Sequence, residues 1–470
     1  MNDDALAALS EILGDGELLL DEADRARYAS DGSGLKGDLP LAVLRPATTE
    51  RLSQAMAVCA RFQIAMITQG GRTGLSGGAC VAGPAVVLST ERMQGVVEID
   101  EDAMAMTVWA GTPLERVHDA AREKGLDFPV DIGARGSATV GGLIATNAGG
   151  IRVLRHGMMR QNVLGLEVVL ADGRILSRLG KLVKDNSGLD LKQIFIGSEG
   201  ALGVVTMAVL QLKPHAGKAM VVLLALPDFP AALSCLSRAR TMFGDRLTAF
   251  EGMWPDYWDF VCGEARLARR PVSGTHGFYV LVEIADTDPA DIENWFMALS
   301  EEGLVEDGIL AQSIAEARAL WAVREAVGEV DEALGPHINF DLGVASSRLG
   351  EFCEACDRCL ADVDGAGRAL KVGHVGDGNV HLLVAHDGRT ETIHDIERAI
   401  YGLVAEWGGA ITAEHGIGRL KRAWLSCSRS SEEIALMGLL KQALDPAGLL
   451  NPGIYPVPEP GADETGRHAC

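Results

Sequence analysis

Three glycine-rich stretches between short apolar runs constrain this chain more than any other feature. The first is "QGGRTGLSGG", Gln69 to Gly78, in which five of ten residues are glycine. The second, "FPVDIGARGSATVGGLIATNAGG", runs from Phe128 to Gly150, and the third, "FIGSEGALGVVT", from Phe195 to Thr206. Glycine at this density lets backbone N–H groups come close to an anion, because no side chain stands in the way. The first stretch is not a Walker loop, since Leu75 and Ser76 stand where Gly-Lys would be, nor is it a GxGxxG turn. One such block reads equally well as a surface loop or a phosphate cradle. Three of them in one region point to several backbone walls around one long, phosphate-bearing ligand.

The runs around these blocks predict the elements. "LAVLRP" reads as a strand and "IAMITQG" as another. Between them "TTERLSQAMAVCARF" places Leu52, Ala55, Met56, Cys59 and Phe62 on one helix face behind the cap candidate Thr49. A boundary is expected near Lys213-Pro214, where "VVTMAVLQL" ends. Beyond it "MVVLLALPDF" and "HGFYVLVEIA" read as strands with helical stretches between and after them, which predicts an antiparallel sheet covered by helices. The expected class is α+β, with domains at 1–214 (core 38–214) and 215–409, a returning C-terminal segment at 410–456 and a disordered tail at 457–470.

The 470 residues, 47% of them hydrophobic and 23% charged, suffice for two or three full cores. A formal charge of -23 repels a phosphate backbone, and no basic run carries interleaved aromatics, which argues against nucleic acid as a partner. The acidic start "MNDDALAALSEILGDG" lacks the features of a secretory or transit leader. No apolar run reaches the roughly 18 residues of a membrane span, so the expectation is a cytoplasmic protein. Nine scattered cysteines are expected to be mostly free thiols. "CEACDRC" gives Cys353, Cys356 and Cys359 the spacing of iron-sulfur ligands, but Val363 stands where a fourth cysteine would be. The same segment reads as an amphipathic helix with Cys353 and Cys356 as small hydrophobes, and that reading is preferred.

"GHVGDGNVHL", Gly373 to Leu382, holds two of the eleven histidines around Asp-Gly. Asp-Gly is a strong two-residue hairpin signal. If Asp377 and Gly378 are its central residues, His374 pairs with His381 and both point to one face, where two imidazoles can share a metal ion. The alternative is two structural histidines on a hairpin. "ITAEHGIGRLKR" supplies Glu414 and His415, and two imidazoles with a carboxylate suit Zn²⁺ or Mn²⁺. On a helix through "IAEARALWAVREAVGEV", Arg324 shares the apolar face with Ala317, Leu320, Trp321 and Gly328. It therefore wants an anion, either an internal Asp or Glu or a substrate carboxylate, the latter being preferred.

Taken together, "QGGRTGLSGGA", "GSATVGGLIATNAGG", "LGLEVVLADGRIL" and "KDNSGLDLKQIFIGSEGALGVVT" resemble the FAD domain of the p-cresol methylhydroxylase and vanillyl-alcohol oxidase (PCMH/VAO) superfamily. The resemblance implies FAD contacts at Gly70, Gly71, Arg72, Thr73, Gly74, Ser76 and Gly77. It implies more at Pro129, Gly133, Ser137, Gly141, Gly142, Asn147 and Gly150, and at Glu199, Gly200 and Val204. Arg72 stands in a loop that in some members carries a tethering His, so FAD is expected to be non-covalent. GHxGDGNxH followed by AEHGIG, with "LWAVRE" and "ALDPAGLLNPG", is similar to the C-terminal half of FAD-linked D-2-hydroxyacid dehydrogenases acting on D-lactate, glycolate or D-2-hydroxyglutarate. By that likeness the second domain is a substrate cap. His374, His381 and Glu414 bind a divalent metal, Zn or Mn, His415 is the catalytic base, Arg324 holds the substrate carboxylate, and Asn451 approaches the flavin. The family also implies an external electron acceptor, such as an electron-transfer flavoprotein, quinone or cytochrome, and admits a homodimer.

The departures concern the substrate. Enzymes for D-2-hydroxyglutarate are expected to carry a Thr one turn after this Arg, a Lys before the Asp of a "KYD"-like strand, and an Asn two residues after the second metal His. This chain has Gly328, Asn339 and Leu383 there. A second substrate carboxylate loses its clamp, so a monocarboxylic acid is expected. The alternatives are D-2-hydroxyglutarate itself, another FAD alcohol oxidase or reductase of this fold, and, from other classes, a metal-dependent hydrolase or a binding protein with a vestigial flavin domain.

Overall fold

Strand β1 (Val43–Leu44), helix α1 (Thr49–Arg61) and strand β2 (Ala65–Gln69) open the core of the protein, in a computed structural model that describes residues 1–215 and 217–455. The expected disordered tail, 457–470, lies outside these residues. The helix buries Leu52, Ala55, Met56 and Cys59. Its cap is Thr48 rather than Thr49: Thr48 is extended, and its hydroxyl accepts from the Arg51 N–H at 3.3 Å. Thr49 is the first helical residue, and its hydroxyl donates to Glu167 at 2.7 Å.

The described residues form two compact units, 1–150 with 156–215 and 414–455, and 151–155 with 217–413. In the first, β3 (Ala85–Ser89) lies between β1 and β2, parallel to both, and the dipeptide Leu18–Leu19 joins the free edge of β1. A second sheet takes β4 (Val96–Asp100), β5 (Ala105–Trp109), β6 (Val163–Val169), β7 (Ile175–Arg178) and β8 (Val204–Gln211) in the order β4-β5-β8-β6-β7, all antiparallel. Helices α2 (Leu114–Arg122) and α3 (Val140–Thr146) bury Leu114, Val117, Leu143 and Ile144 in its core beside Val108, Leu166 and Ala208.

The second unit is one antiparallel sheet. Its strands are β9 (Ala219–Leu226), β10 (Leu247–Met253), β11 (Phe278–Ala285), β12 (Asp307–Leu310), β13 (His337–Gly343), β14 (Ala366–Gly373) and β15 (Asn379–His386). They run in the order β12-β9-β11-β10-β14-β15-β13. Every residue of β10 and β11 is buried, as both faces are covered. Helix α4 (Phe229–Phe243) packs on β9, β10 and β11, and α5 (Ile314–Glu325) on β9 and β11. Leu320, Trp321 and Val323 of α5 join one core with Leu223, Ala249, Tyr279 and Leu281.

Two expected details change here. The helix through Arg324 breaks at Ala326, and α6 (Val327–Leu334) follows, so Gly328 is exposed rather than on the apolar face of α5. The histidine hairpin is not a two-residue turn. Strands β14 and β15 pair Val372 with His381, two residues out of the expected register, and His374 lies in the connecting loop. The loop closes on the His374 carbonyl, which accepts from the N–H groups of Asp377, Gly378 and Asn379 at 3.0–3.2 Å. Gly378 supplies the left-handed residue, at φ +86°.

The three spaced cysteines sit on α7 (Leu349–Ala361), with Cys353 and Cys356 buried beside Leu349, Phe352 and Leu360. Burial pushes the Cys356 thiol up to about 12, which suits a packed hydrophobe. Helix α8 (Thr390–Trp407) packs against α7, and α9 (Ser431–Leu444), fixed by a Ser430–Glu433 capping box, returns to the first unit. Among the described residues seven cysteines are free thiols, and no helix is long and apolar enough to cross a membrane.

Candidate active site

In the first unit β2 runs directly into the first glycine-rich block. Among the described residues, no backbone N–H from Gly70 through Gly78 donates a hydrogen bond within the protein. Backbone donors in folded chains are ordinarily paired, so a row of unused ones is the donor set that a pyrophosphate requires. The hydroxyl of Thr68, the side-chain oxygen of Gln69 and the hydroxyl of Thr139 are buried and likewise without protein partners. The glycines are needed for the chain to close: a Cβ at Gly70 would lie 2.2 Å from the Thr139 hydroxyl, and one at Gly71 only 1.9 Å from the Ser137 carbonyl oxygen. The first and second blocks are thus in backbone contact. Thr73 and Gly74 in turn pack against Gly32, and Gly77 takes φ +75°. Arg72 lies over the Tyr28 ring at 4.6 Å, and its guanidinium donates to the Arg27 carbonyl. These features fit the FAD cradle expected from the sequence.

In the second block Pro129 is buried while Gly133 and Ser137 are exposed. Gly141 begins the approach of α3 to Ala110, where an added Cβ would meet another Cβ at 2.9 Å, and Gly142 follows it. Asn147 caps α3 in the left-handed conformation and accepts from the Arg160 N–H at 2.9 Å. Gly150, at φ +104°, sits against the Asp131 carbonyl and donates its N–H to Glu414 at 2.8 Å.

Two residues expected at the cofactor, Ser76 and Glu199, use their side chains to brace the segment that carries His415, and a third, Asn451, holds Glu199. The Ser76 hydroxyl donates to the carbonyls of His415 and Gly416, at 3.1 and 2.8 Å. Glu199, at φ +51°, accepts from the N–H groups of Ile417 and Gly418, each at 2.8 Å. Burial raises the Glu199 carboxyl pKa against the opposing pull of those two donors. The Asn451 amide donates to the Glu199 carbonyl at 2.6 Å and accepts from Thr68 at 2.7 Å. Gly200 (φ +71°) packs on Thr68 and Asn451, and Val204 begins β8.

In the second unit a polar stripe crosses the sheet face that α5 covers. His381 faces Val372 on β14 and Asp341 on β13, and Leu383 faces Asn339. His374 continues the Val372 side of β14, and its ring centroid lies 5.6 Å from that of His381. The two-residue register change therefore keeps both imidazoles on one face, because side chains alternate with period two. Asp341 is fully buried and accepts from Asn379, Thr412 and the Ala413 N–H, at 2.9, 2.9 and 3.0 Å. Leu383 is fully buried in the apolar core, and the half-buried Asn339 has a side-chain oxygen with no protein partner. An added Cβ at Gly328 would meet nothing within 4 Å.

Arg324 has an internal carboxylate partner, the alternative that the sequence left beside the preferred substrate carboxylate. Its Nε donates to Glu251 at 2.8 Å, and its Nη2 lies 3.3 Å from His374 Nε2. The other Glu251 oxygen lies 2.8 Å from His374 Nδ1. Burial alone would raise the Glu251 carboxyl, but His374 and Arg324 outweigh it and hold it below the ordinary range. Glu251 went unread in the sequence. Its signal was a lone carboxylate in the otherwise uncharged strand "LTAFEGM".

Comparison with known proteins follows the same division. A family profile described as FAD binding domain matches residues 40–178, and one described as FAD linked oxidases, C-terminal domain, matches 217–455. A D-2-hydroxyglutarate dehydrogenase of Xanthomonas citri pv. viticola is 37% identical over 462 residues, 96% of this chain and 97% of that one. The mitochondrial D-2-hydroxyglutarate dehydrogenase of Danio rerio is 38% identical over 416 residues, 87% and 77% of the two chains. Among solved structures, p-cresol methylhydroxylase with substrate bound matches at TM-score 0.74 and 15% identity, over 96% of each chain. Alkyldihydroxyacetonephosphate synthase matches at 0.75 and 16%, over 96% of this chain and 85% of that one. These structural matches concern the fold. The profiles and relatives define an FAD-dependent oxidoreductase, on a fold of the PCMH/VAO type. The chain belongs to its FAD-linked D-2-hydroxyacid dehydrogenases.

Proposed function

We propose that the chain oxidises a monocarboxylic D-2-hydroxy acid to the 2-oxo acid, with non-covalent FAD and a divalent metal, Zn or Mn. Arg324 holds the substrate carboxylate. A guanidinium offers five N–H donors, so pairing with Glu251 does not preclude a second carboxylate. His415, on a segment braced by Ser76 and Glu199, takes the hydroxyl proton. Bound FAD supplies the acceptor for the α-hydrogen and its electron pair, and a bound cation polarises the hydroxyl. His374 and His381 hold that cation, with Glu414 as the third donor read from the sequence. Two imidazoles on one sheet face, set beside buried carboxylates, fit such an ion in donor chemistry. An external acceptor, such as an electron-transfer flavoprotein, quinone or cytochrome, would take up the electrons.

The observation that carries the monoacid reading is the residue type at each of the three positions where a clamp for a second carboxylate is expected. Asn339 is neutral, Leu383 is buried in apolar packing, and Gly328 adds no side chain. The relatives' names favour the diacid as the second reading. Losing a charged contact costs a few kcal/mol, so the monoacid preference can reach about a hundredfold in kcat/KM. Arg324→Ala should depress turnover of every acid, while Asn339→Lys should raise only that of D-2-hydroxyglutarate. Wild-type preference for D-2-hydroxyglutarate over every monoacid tested would refute the reading.

A further inference from the structure

We infer that Glu251 is a positioning residue which fixes the ring of His374 with Nδ1 protonated, making Nε2 its ligand atom, and sets the substrate anchor Arg324 with the same carboxylate. The inference rests on the proposed roles of His374 and Arg324, and it assigns a role to a residue that touches neither substrate nor ion.

The argument begins with donors and acceptors. An ionised carboxylate only accepts, so the His374 Nδ1 that lies 2.8 Å from Glu251 Oε1 must carry the hydrogen. The other nitrogen is constrained independently. A guanidinium only donates, and Arg324 Nη2 lies 3.3 Å from His374 Nε2, so Nε2 must present its lone pair. Both neighbours therefore impose the same neutral tautomer. It is the form in which an imidazole ligates a metal through Nε2, with its far N–H held by a carboxylate.

The second oxygen of Glu251 accepts from Arg324 Nε at 2.8 Å. Glu251 is 1% exposed and Arg324 5%, so neither charge has water to replace the other. The helix end that carries Arg324 is also pinned, since the buried Tyr257 hydroxyl donates to the carbonyls of Val323 and Arg324 at 3.0 and 3.2 Å. One side chain on the central strand β10 thus sets the distance between ligand nitrogen and carboxylate anchor.

The test uses the FAD-loaded full chain and Glu251→Gln, whose amide has one acceptor oxygen and cannot serve both partners. Zinc(II) affinity is measured by competition with a chromophoric chelator, alongside KM for D-lactate or D-2-hydroxyglutarate. We expect zinc binding to weaken roughly ten- to hundredfold and KM to rise at least about tenfold, with flavin content unchanged and partial recovery in Glu251→Asp. Wild-type zinc affinity and KM in Glu251→Gln overturn the proposal. If His374→Ala binds zinc as tightly as wild type, the metal reading fails instead, and the ligand half of this proposal fails with it. Should Glu251→Gln not fold, Glu251→Asp decides alone. It keeps the charge but withdraws it by one methylene, and wild-type values for both measurements would overturn the role.

Discussion

Replacing Gly71 with alanine is expected to open the FAD cradle. The added Cβ would fall 1.9 Å from the Ser137 carbonyl oxygen, 2.8 Å from its carbon and 3.2 Å from the Ala138 Cα, where ordinary contact begins near 3.4 Å. The two backbones must therefore separate by about 1.5 Å, and no flexible side chain is present to yield. Overpacking of this kind costs about 1–3 kcal/mol in stability. The larger effect falls on the ligand. Shifting the 70–78 amides by that distance lengthens hydrogen bonds to an anion beyond their useful range, and each such bond contributes about 1.5–3 kcal/mol. Loss of one bond alone weakens FAD binding at least about tenfold. Flavin absorbance per chain after gel filtration, and the FAD titration of stripped protein, give the answer. Gly402→Ala, on α8 where an added Cβ meets nothing within 4 Å, serves as the control and should keep wild-type flavin content. Full flavin retention and wild-type affinity in Gly71→Ala would refute the assignment of this contact to the cradle.

Acid precipitation should release all the flavin, since no histidine stands in the first glycine-rich block, and colour left in the pellet would contradict non-covalent binding. Verified removal of divalent metal by a chelator should abolish turnover while FAD stays bound, and His374→Ala should lose metal in the same way; full activity of metal-free protein would make these histidines structural. Lys371 is 4% exposed and pairs with Asp256 at 2.5 Å and Asp357 at 2.7 Å, so Lys371→Met should destabilise by roughly 3 kcal/mol, read as a lower urea midpoint. A change under about 0.5 kcal/mol would mean that water reaches Asp256 and replaces the lysine.

The elements built from local patterns were legible in the sequence. The periodicity of residues 49–62, the strand runs of the second unit and the cysteine-bearing helix α7 are all written in short windows. Details set by distant partners were not. Asp-Gly predicts a two-residue turn, but here the loop folds onto the His374 carbonyl and Gly376 donates to the Phe250 carbonyl on β10, which no local pattern announces. The face of the two histidines survived because the register moved by an even number. Residues at helical spacing carried the helix reading past Ala326, where the structure ends α5 and begins α6. Glu251 lies 73 positions from Arg324 and 123 from His374, so their pairing exists only once β10 lies beside β14. Ser76 and Glu199 were expected at a cofactor from glycine-rich context, and their grip on residues 415–420 likewise depends on the return of the C-terminal segment.

Anaerobic flavin reduction tests the central claim most directly. The FAD-loaded protein is mixed with D- and L-enantiomers of lactate and larger 2-hydroxy monoacids, and with D-2-hydroxyglutarate, while the oxidised flavin absorbance is followed. The account predicts bleaching by D-2-hydroxy acids alone, fastest with a monoacid, with the matching 2-oxo acid formed at one equivalent per flavin. A flavin that stays oxidised with every D-2-hydroxy acid, or that is reduced equally by the L-enantiomers, would contradict it.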